Sequence, residues 1–524
     1  MMIRNVSDPA SRQFVWAIFG IGVIVSVLLS IWSIAIDSVI NNDGIEYVRA
    51  AELLSSIDHW QDAFTVWKWP FYPWLMMWVG DTVGISYETA GHALNTLFFT
   101  LVVVFFVSTV QAFGGRSRLI TWIAMLIALA HPVFNEYRAF LIRDPGYLAA
   151  YLLAVCFLAK YRWQPSVRYR LAVIGCLVVA ALFRVEGLVF LFSTPILFSL
   201  SRPGSARYPY HWPALLVTAL LAFFLVAVLG WWLSPSTGKS SALSVIYDPI
   251  GSFAAGWHQI ATAVVPKLGI LREFLGPYSA DKQYVLFGLA VIVVVIEAIL
   301  AELTVPFVVL AGYALIQRPC FADNSLHKIW TALILVNAVV LSVFAWIMVF
   351  LAPRYPLAIA MTFLISVPFV AVRLWDRVRS TRVTVIWWAI IVLLLFWAVG
   401  ESWSGVSNFS HNAHHKEAGI WLAEHTQQEG VLITNSRRVA YYAGRYRDPN
   451  MWEGDTKTLL RGLLENRWPT TQFAAVRFQR GEDNLELEFK DALRRAPVRE
   501  FENGRGDRVL VYDYSDFCGS IPCN

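Results

Sequence analysis

Asp43 and Lys68 lie on one polar stretch, residues 37–91, set between apolar runs. A carboxylate can take a proton from a hydroxyl, and a lysine can hold a phosphate as a compact point charge. Asp43 sits in Asp43-Gly44-Ile45-Glu46-Tyr47, and Lys68 in Lys68-Trp69-Pro70-Phe71-Tyr72-Pro73-Trp74-Leu75. A base and an anion site on one loop could share a pocket. The plainer readings are that Asp43 caps the next helix and that Lys68 anchors an interface. A second short stretch, Asn135-Glu136-Tyr137-Arg138 to Arg143-Asp144-Pro145, is dense in charge. There Asp144 reads as a helix N-cap with Pro145 in the first helical position, which leaves a site role open to Arg138, Arg143 and Asp144. Arg184 and Glu186 interrupt an apolar run at Phe183-Arg184-Val185-Glu186-Gly187, and Arg354-Tyr355-Pro356 ends another. Ionisable groups at membrane depth are costly and mark function by default. The alternatives are an ion pair that only stabilises the break, and interfacial anchoring.

The elements that must position these groups are membrane helices. Of 524 residues, 57% are hydrophobic and 15% charged, against roughly 25% charged in soluble domains. This composition excludes a soluble enzyme, a disordered chain and a disulfide-stapled secreted domain. The 23 Trp, 20 Tyr and 34 Phe suit a protein with two membrane interfaces. A span needs about 20 apolar residues. The first runs from about Phe14 to Ile36, follows Arg4 and Arg12, and is expected to be a retained helix with a cytoplasmic N-terminus. Further candidates fall near 92–112, 119–133, 146–160, 171–200, 213–233, 284–316, 328–351, 356–373 and 383–401. The segment 171–200 lies between basic loops, so it is expected to enter and return around the Arg184 break. Segment 284–316 reads as one kinked helix or three short pieces around Glu297, Glu302 and Pro306. The expected fold is a polytopic α-helical membrane protein of about 10–13 transmembrane helices, with external loop helices and a small C-terminal α/β domain. Residues 1–401 form the membrane module and 402–524 the external domain. Loops 37–91 and 234–283 share the external side, the latter with His258, Lys267, Arg272 and Glu273.

After residue 402 the long apolar runs stop. Gly430–Thr434 and Phe473–Phe478 read as strands, Glu482–Arg495 as a helix, and Val498–Tyr514 as a hairpin around Asn503-Gly504. Cys518 and Cys523 form a candidate disulfide suited to an oxidising compartment. His411, His414 and His415 read as a solvated linker rather than a metal site. The net charge of +5 is spread over short loops. That pattern suits topology, not nucleic acid.

In the order of its motifs the chain resembles the C-type membrane glycosyltransferase superfamily, in its protein-mannosyltransferase and lipid A aminoarabinose transferase-like branch (family 39-like). An acid pair with a downstream tyrosine corresponds to Asp43, Gly44, Glu46 and Tyr47. A Lys-Pro-Pro motif corresponds to Lys68-Trp69-Pro70, and an Arg-Tyr motif to Arg354-Tyr355. Gly44 stands where the second acid usually does, Trp69 where the first proline does, and Trp67 where an acid often precedes the lysine. The resemblance covers the whole chain in architecture and a few short motifs in residues.

It implies an inverting glycosyltransferase that moves a monosaccharide from a polyprenyl-phosphate donor, undecaprenyl phosphate in a bacterium, to a glycan, lipid or protein acceptor. Transfer would occur at the outer face of the inner membrane, with the C-terminal domain periplasmic or extracellular. Asp43 is then the general base, with Glu46 in support. Lys68, Arg138, Arg143, Arg184, Arg354 and Tyr355 are the donor-phosphate candidates, and Tyr47, Asp144 and Glu186 further site candidates. No cofactor is expected, and metal dependence stays open, because a phosphate held by cations needs no divalent metal in principle. The rival readings are a polymerase or ligase with a polyprenyl-diphosphate donor, a transporter or flippase of lipid-linked sugar, and a membrane scaffold.

Overall fold

The computed structural model describes residues 10–201, 262, 264–316, 321–380, 393, 396–397, 399–401, 403–404, 412–426, 430–447, 454–465, 467–468 and 470–514. The candidate disulfide at Cys518 and Cys523, His411, and most of loop 234–283 fall outside them. The chain opens with α1 (Arg12–Ile36), α2 (Asn42–Ser55), α3 (Ala63–Val66), α4 (Phe71–Val83) and α5 (Tyr87–Ala112). Next come α6 (Arg118–Ala130), α7 (Pro132–Glu136), α8 (Asp144–Trp163), α9 (Val167–Phe183) and α10 (Glu186–Leu200). Then follow α11 (Gln283–Ile316), α12 (Asn324–Met348), α13 (Leu357–Leu364) and α14 (Val367–Ser380). The C-terminal part holds α15 (Ala413–His425), β1 (Val431–Thr434), α16 (Arg437–Tyr442), α17 (Thr456–Leu464), β2 (Thr471–Phe478), α18 (Asp483–Leu493), β3 (Arg499–Glu502) and β4 (Arg508–Asp513).

The chain divides into two compact units. One comprises residues 1–30, 93–138 and 143–406; the other comprises 31–92, 139–142 and 407–524. The polar loop that carries Asp43 and Lys68 thus belongs to the same unit as the C-terminal α/β part.

In the helical unit, five helical stretches among the described residues are long and apolar enough to cross a membrane: 12–36, 87–112, 280–316, 324–348 and 357–377. The first two continue into the second unit at one end. They make the chain an integral membrane protein. Segment 284–316, α11, is two helical pieces joined at a non-helical Thr304 (φ 58°, ψ 155°) just before Pro306. A proline cannot donate to the turn before it, and that turn opens here. Segment 171–200 breaks as its charges require: α9 ends at Phe183 and α10 starts at Glu186. Gly187 lets α10 fold back beside α9, because a Cβ there would lie 2.4 Å from the Ala181 nitrogen.

In the second unit the strands form one sheet in the order β1-β2-β4-β3. β1 and β2 run parallel, and the other pairs are antiparallel. The β3–β4 hairpin turns through Asn503 to Asp507, with Gly506 at φ 92° rather than an Asn-Gly two-residue turn. One face of the sheet packs Ile433, Ala474, Val476 and Leu510 against α17 and α18. The other packs Leu432, Phe473, Val509 and Val511 against α15 and α16.

The histidine run is not a solvated linker. His414 and His415 are each 2% exposed, on α15, with rings 4.2 Å apart. His415 Nδ1 lies 3.1 Å from Ser436 Oγ, at the start of α16. Packing of α15 on the sheet through Ala418 and Leu422 carries these rings into the core, where loop polarity alone suggests solvent. Burial, then His414, Arg438 and Arg477, push His415 down to about 2. The folded state therefore keeps it neutral, while the unfolded chain protonates it below its ordinary value near 6.5. Stability contributed by this group is full above that pH and falls as the pH drops through it, by up to about 1.4 kcal/mol per pH unit. Amide protection in β1 and β2 is expected to fall between pH 7.5 and 5, and His415→Gln should flatten that dependence; equal slopes in both proteins would assign the loss to other groups.

Candidate active site

In the second unit, α2 carries Asp43 in its first turn. Asn41 precedes the helix, yet its side chain caps nothing there. Its amide instead grips the backbone of Leu141, donating to the carbonyl at 3.1 Å and accepting from the N–H at 2.8 Å. Asp43 is therefore not the cap either, and it is partly exposed. Tyr47, one turn on, shares its face. The Tyr47 ring is buried edge-to-face against Trp67 at 4.7 Å and Tyr72 at 5.2 Å. Those two residues flank Lys68, which is itself exposed. Aromatic packing thus sets the Asp43 helix beside the segment that bears Lys68.

Gly44 has a steric reason. A Cβ there would come within 2.9 Å of both Asn41 Oδ1 and Ile40 Cγ1, and 3.0 Å from Leu141 Cβ. A second acid at this position has no room. Glu46 points elsewhere and accepts from Arg437 at 2.9 Å. Its link to Arg437 fastens α2 to α16.

In the helical unit, Asp144, Arg184, Glu186, Arg354 and Tyr355 come together around a cavity of about 30 Å³, also lined by Tyr147 and Phe344. That is room for one or two waters. Arg184 bonds Asp144 with one arm and Glu186 Oε1 at 2.5 Å with the other. Arg354 lies 4.0 Å from Asp144. The Tyr355 ring lies under the Arg184 guanidinium at 4.7 Å. Asp144 is the first residue of α8, not its N-cap; Arg143 holds that position. The carboxylate goes to the guanidinium because a charge-assisted pair is stronger than a backbone cap. Formal charges within the cluster cancel, and Arg184 is committed to two acids across the α9–α10 break. Arg354 is the more exposed arginine. It follows Val349, which ends α12 in the left-handed region (φ 54°). A β-branched residue there is strained, and such strain gathers at functional sites.

Arg138 is not in this cluster. It is 1% exposed, and it donates to the Ser26 carbonyl at 3.1 Å, Ser30 Oγ at 2.9 Å and Asn135 Oδ1 at 2.8 Å. Those bonds tie α7 to α1. Arg143 is near enough to Glu186 to act on it electrostatically. Among the described residues, no group of three or more His, Cys, Asp or Glu is arranged to hold a metal.

Several partners have no periodic signal in sequence. Asn41, Arg437, Glu52, Glu88 and the tyrosines of Tyr441-Tyr442-Ala443-Gly444-Arg445-Tyr446 find one another only in the fold. The density of Tyr and Arg in that last stretch is the one cue the sequence offers.

Solved structures share this architecture. An oligosaccharyltransferase from Archaeoglobus fulgidus, tethered to an acceptor peptide with the NVT sequon, superposes with a TM-score of 0.51 at 14% identity, over 89% of this chain and 69% of that one. The chain shares the fold of that membrane protein. ArnT from Cupriavidus metallidurans also aligns, in its apo state over 96% of this chain and 98% of its own, at 14% identity and a TM-score of 0.38. Its undecaprenyl phosphate complex covers the same shares at 14% identity and 0.34. No protein-family model matches the chain, and no curated protein is similar to it in sequence. The likeness thus rests on architecture alone.

Proposed function

We propose that the chain is an inverting glycosyltransferase that moves one sugar from a polyprenyl phosphate to a hydroxyl of a glycan, lipid or protein acceptor. The observation that carries this reading is the pairing of Asp43 on α2 with the Lys68 segment through the Tyr47–Trp67 contact. In the reaction the acceptor oxygen attacks the anomeric carbon from the side opposite the phosphate. Its proton passes to Asp43, the bond from carbon to phosphate oxygen breaks, and the lipid phosphate leaves with the electron pair. Lys68 balances the charge that grows on that phosphate. Within the helical unit, Arg184 is a positioning residue that holds the α9–α10 break through Asp144 and Glu186. The reaction runs at the outer face of a bacterial inner membrane, with the N-terminus cytoplasmic and the C-terminal α/β part outside.

Mass spectrometry of lipids co-purified with Asp43→Asn tests this reading, since blocking the base should trap an uncleaved donor. A polyprenyl phosphate bearing one sugar is the expected result. A diphosphate-linked oligosaccharide would replace the reading with a polymerase or ligase. Ordinary phospholipid alone, from cells shown to contain such donors, would overturn it. Lys68→Ala is expected to raise KM for the donor or lower kcat at least about tenfold, the scale of one lost charge-assisted contact. Unchanged donor kinetics would return Lys68 to interfacial anchoring.

A further inference from the structure

A second, larger cleft lies wholly within the second unit. It measures about 660 Å³ and is bordered by α2, the α4–α5 turn and the segment after α16. Its walls carry Glu52, Asp81 and Glu88 with Tyr87, Tyr441 and Tyr446. Each carboxylate is held by a phenol: Asp81 Oδ1 accepts from Tyr87 at 2.8 Å, Glu88 Oε2 from Tyr441 at 2.8 Å, and Glu52 Oε1 from Tyr446 at 2.5 Å. Burial and then Glu88 push the Tyr441 phenol up, so it remains a donor. Glu52 is also neutralised by Arg447, whose Nε donates to it at 2.8 Å. Asp81 Oδ2 and Glu88 Oε1 take part in neither phenol bond.

We propose that this cleft binds saccharide units of the acceptor, taking neutral or amine-bearing sugars and rejecting phosphorylated or sulfated ones. Fixed carboxylates accept hydroxyl and ammonium protons, and phenol oxygens keep lone pairs for the same purpose. Tyrosine faces pack the apolar C–H faces of a sugar ring. The lining residues include no Lys or Arg, and the two carboxylates left unneutralised repel an anion. The volume accommodates one or two sugar rings, within the usual range of small-molecule sites. The inference rests on the transferase reading for the word acceptor; the binding itself does not.

The test uses the full chain in nanodiscs on an array of neutral, amine-bearing, phosphorylated and sulfated oligosaccharides. Binding is expected only to neutral and amine-bearing members. The double variant Asp81→Asn, Glu88→Gln should weaken it at least tenfold. Ile85→Trp, which fills the cleft and keeps every carboxylate, should do the same. Binding to no member, a preference for anionic members, or binding unchanged in Ile85→Trp would overturn the proposal. Donor lipid retained by Asp43→Asn is read separately, so a failed array with donor retained removes the cleft alone.

Discussion

Asp43→Asn should lower sugar transfer by roughly 10²–10⁴-fold and leave the protein folded, the scale of removing one positioned general base. The substitution keeps size and hydrogen-bonding shape but removes the ability to hold a proton. Three features of the site make the effect specific. Asn41, not Asp43, fixes the start of α2, through its two bonds to Leu141. Gly44 leaves no space for a neighbouring acid to take over. Glu46 is engaged by Arg437. Transfer of labelled sugar from a polyprenyl phosphate to acceptor, measured in nanodiscs beside the unfolding midpoint, separates chemistry from stability. Wild-type turnover in the variant would remove Asp43 as the base. A fall in turnover matched by loss of folded protein would instead make Asp43 structural.

Arg184→Leu carries the second large effect, and it falls on stability. Arg184 is buried between Asp144 and Glu186, each bonded to a different arm. Removing the cation strands two carboxylates at the α9–α10 break, at a cost of about 3–5 kcal/mol for a broken buried pair. Arg184→Lys keeps the charge but loses the fork that spans both acids. It should fold with a lowered midpoint. Thermal unfolding in nanodiscs reads both variants. An Arg184→Leu protein as stable as the parent would show that water or lipid reaches these acids and that the triad holds nothing together.

Much of this molecule was legible in its sequence, for reasons that are local. Long apolar runs must be helical in a bilayer, because every backbone group there needs a partner. Charges inside such a run force a break, and Arg184 and Glu186 mark it within a residue. A short apolar run placed β2, and the turn residues Asn503 to Gly506 placed the β3–β4 hairpin. The motif order around Asp43, Lys68 and Arg354 pointed to the C-type fold. What sequence could not decide is who pairs with whom across distance. Asp144 reads locally as a cap, but Arg184, forty residues on, outbids the backbone. His414 and His415 read as solvated until α15 packs on the sheet. The tyrosine–carboxylate cleft joins loop 37–91 to the segment after α16, residues hundreds of positions apart in the chain. Among the described residues, the sequence by itself determined which long apolar segments are helical and where the Arg184 break falls, and it nominated residues whose chemistry suits transfer. Only the tertiary structure decided which charges are spent on each other and which face a ligand, because pairing energy depends on distance and burial, and neither is a local property of the chain.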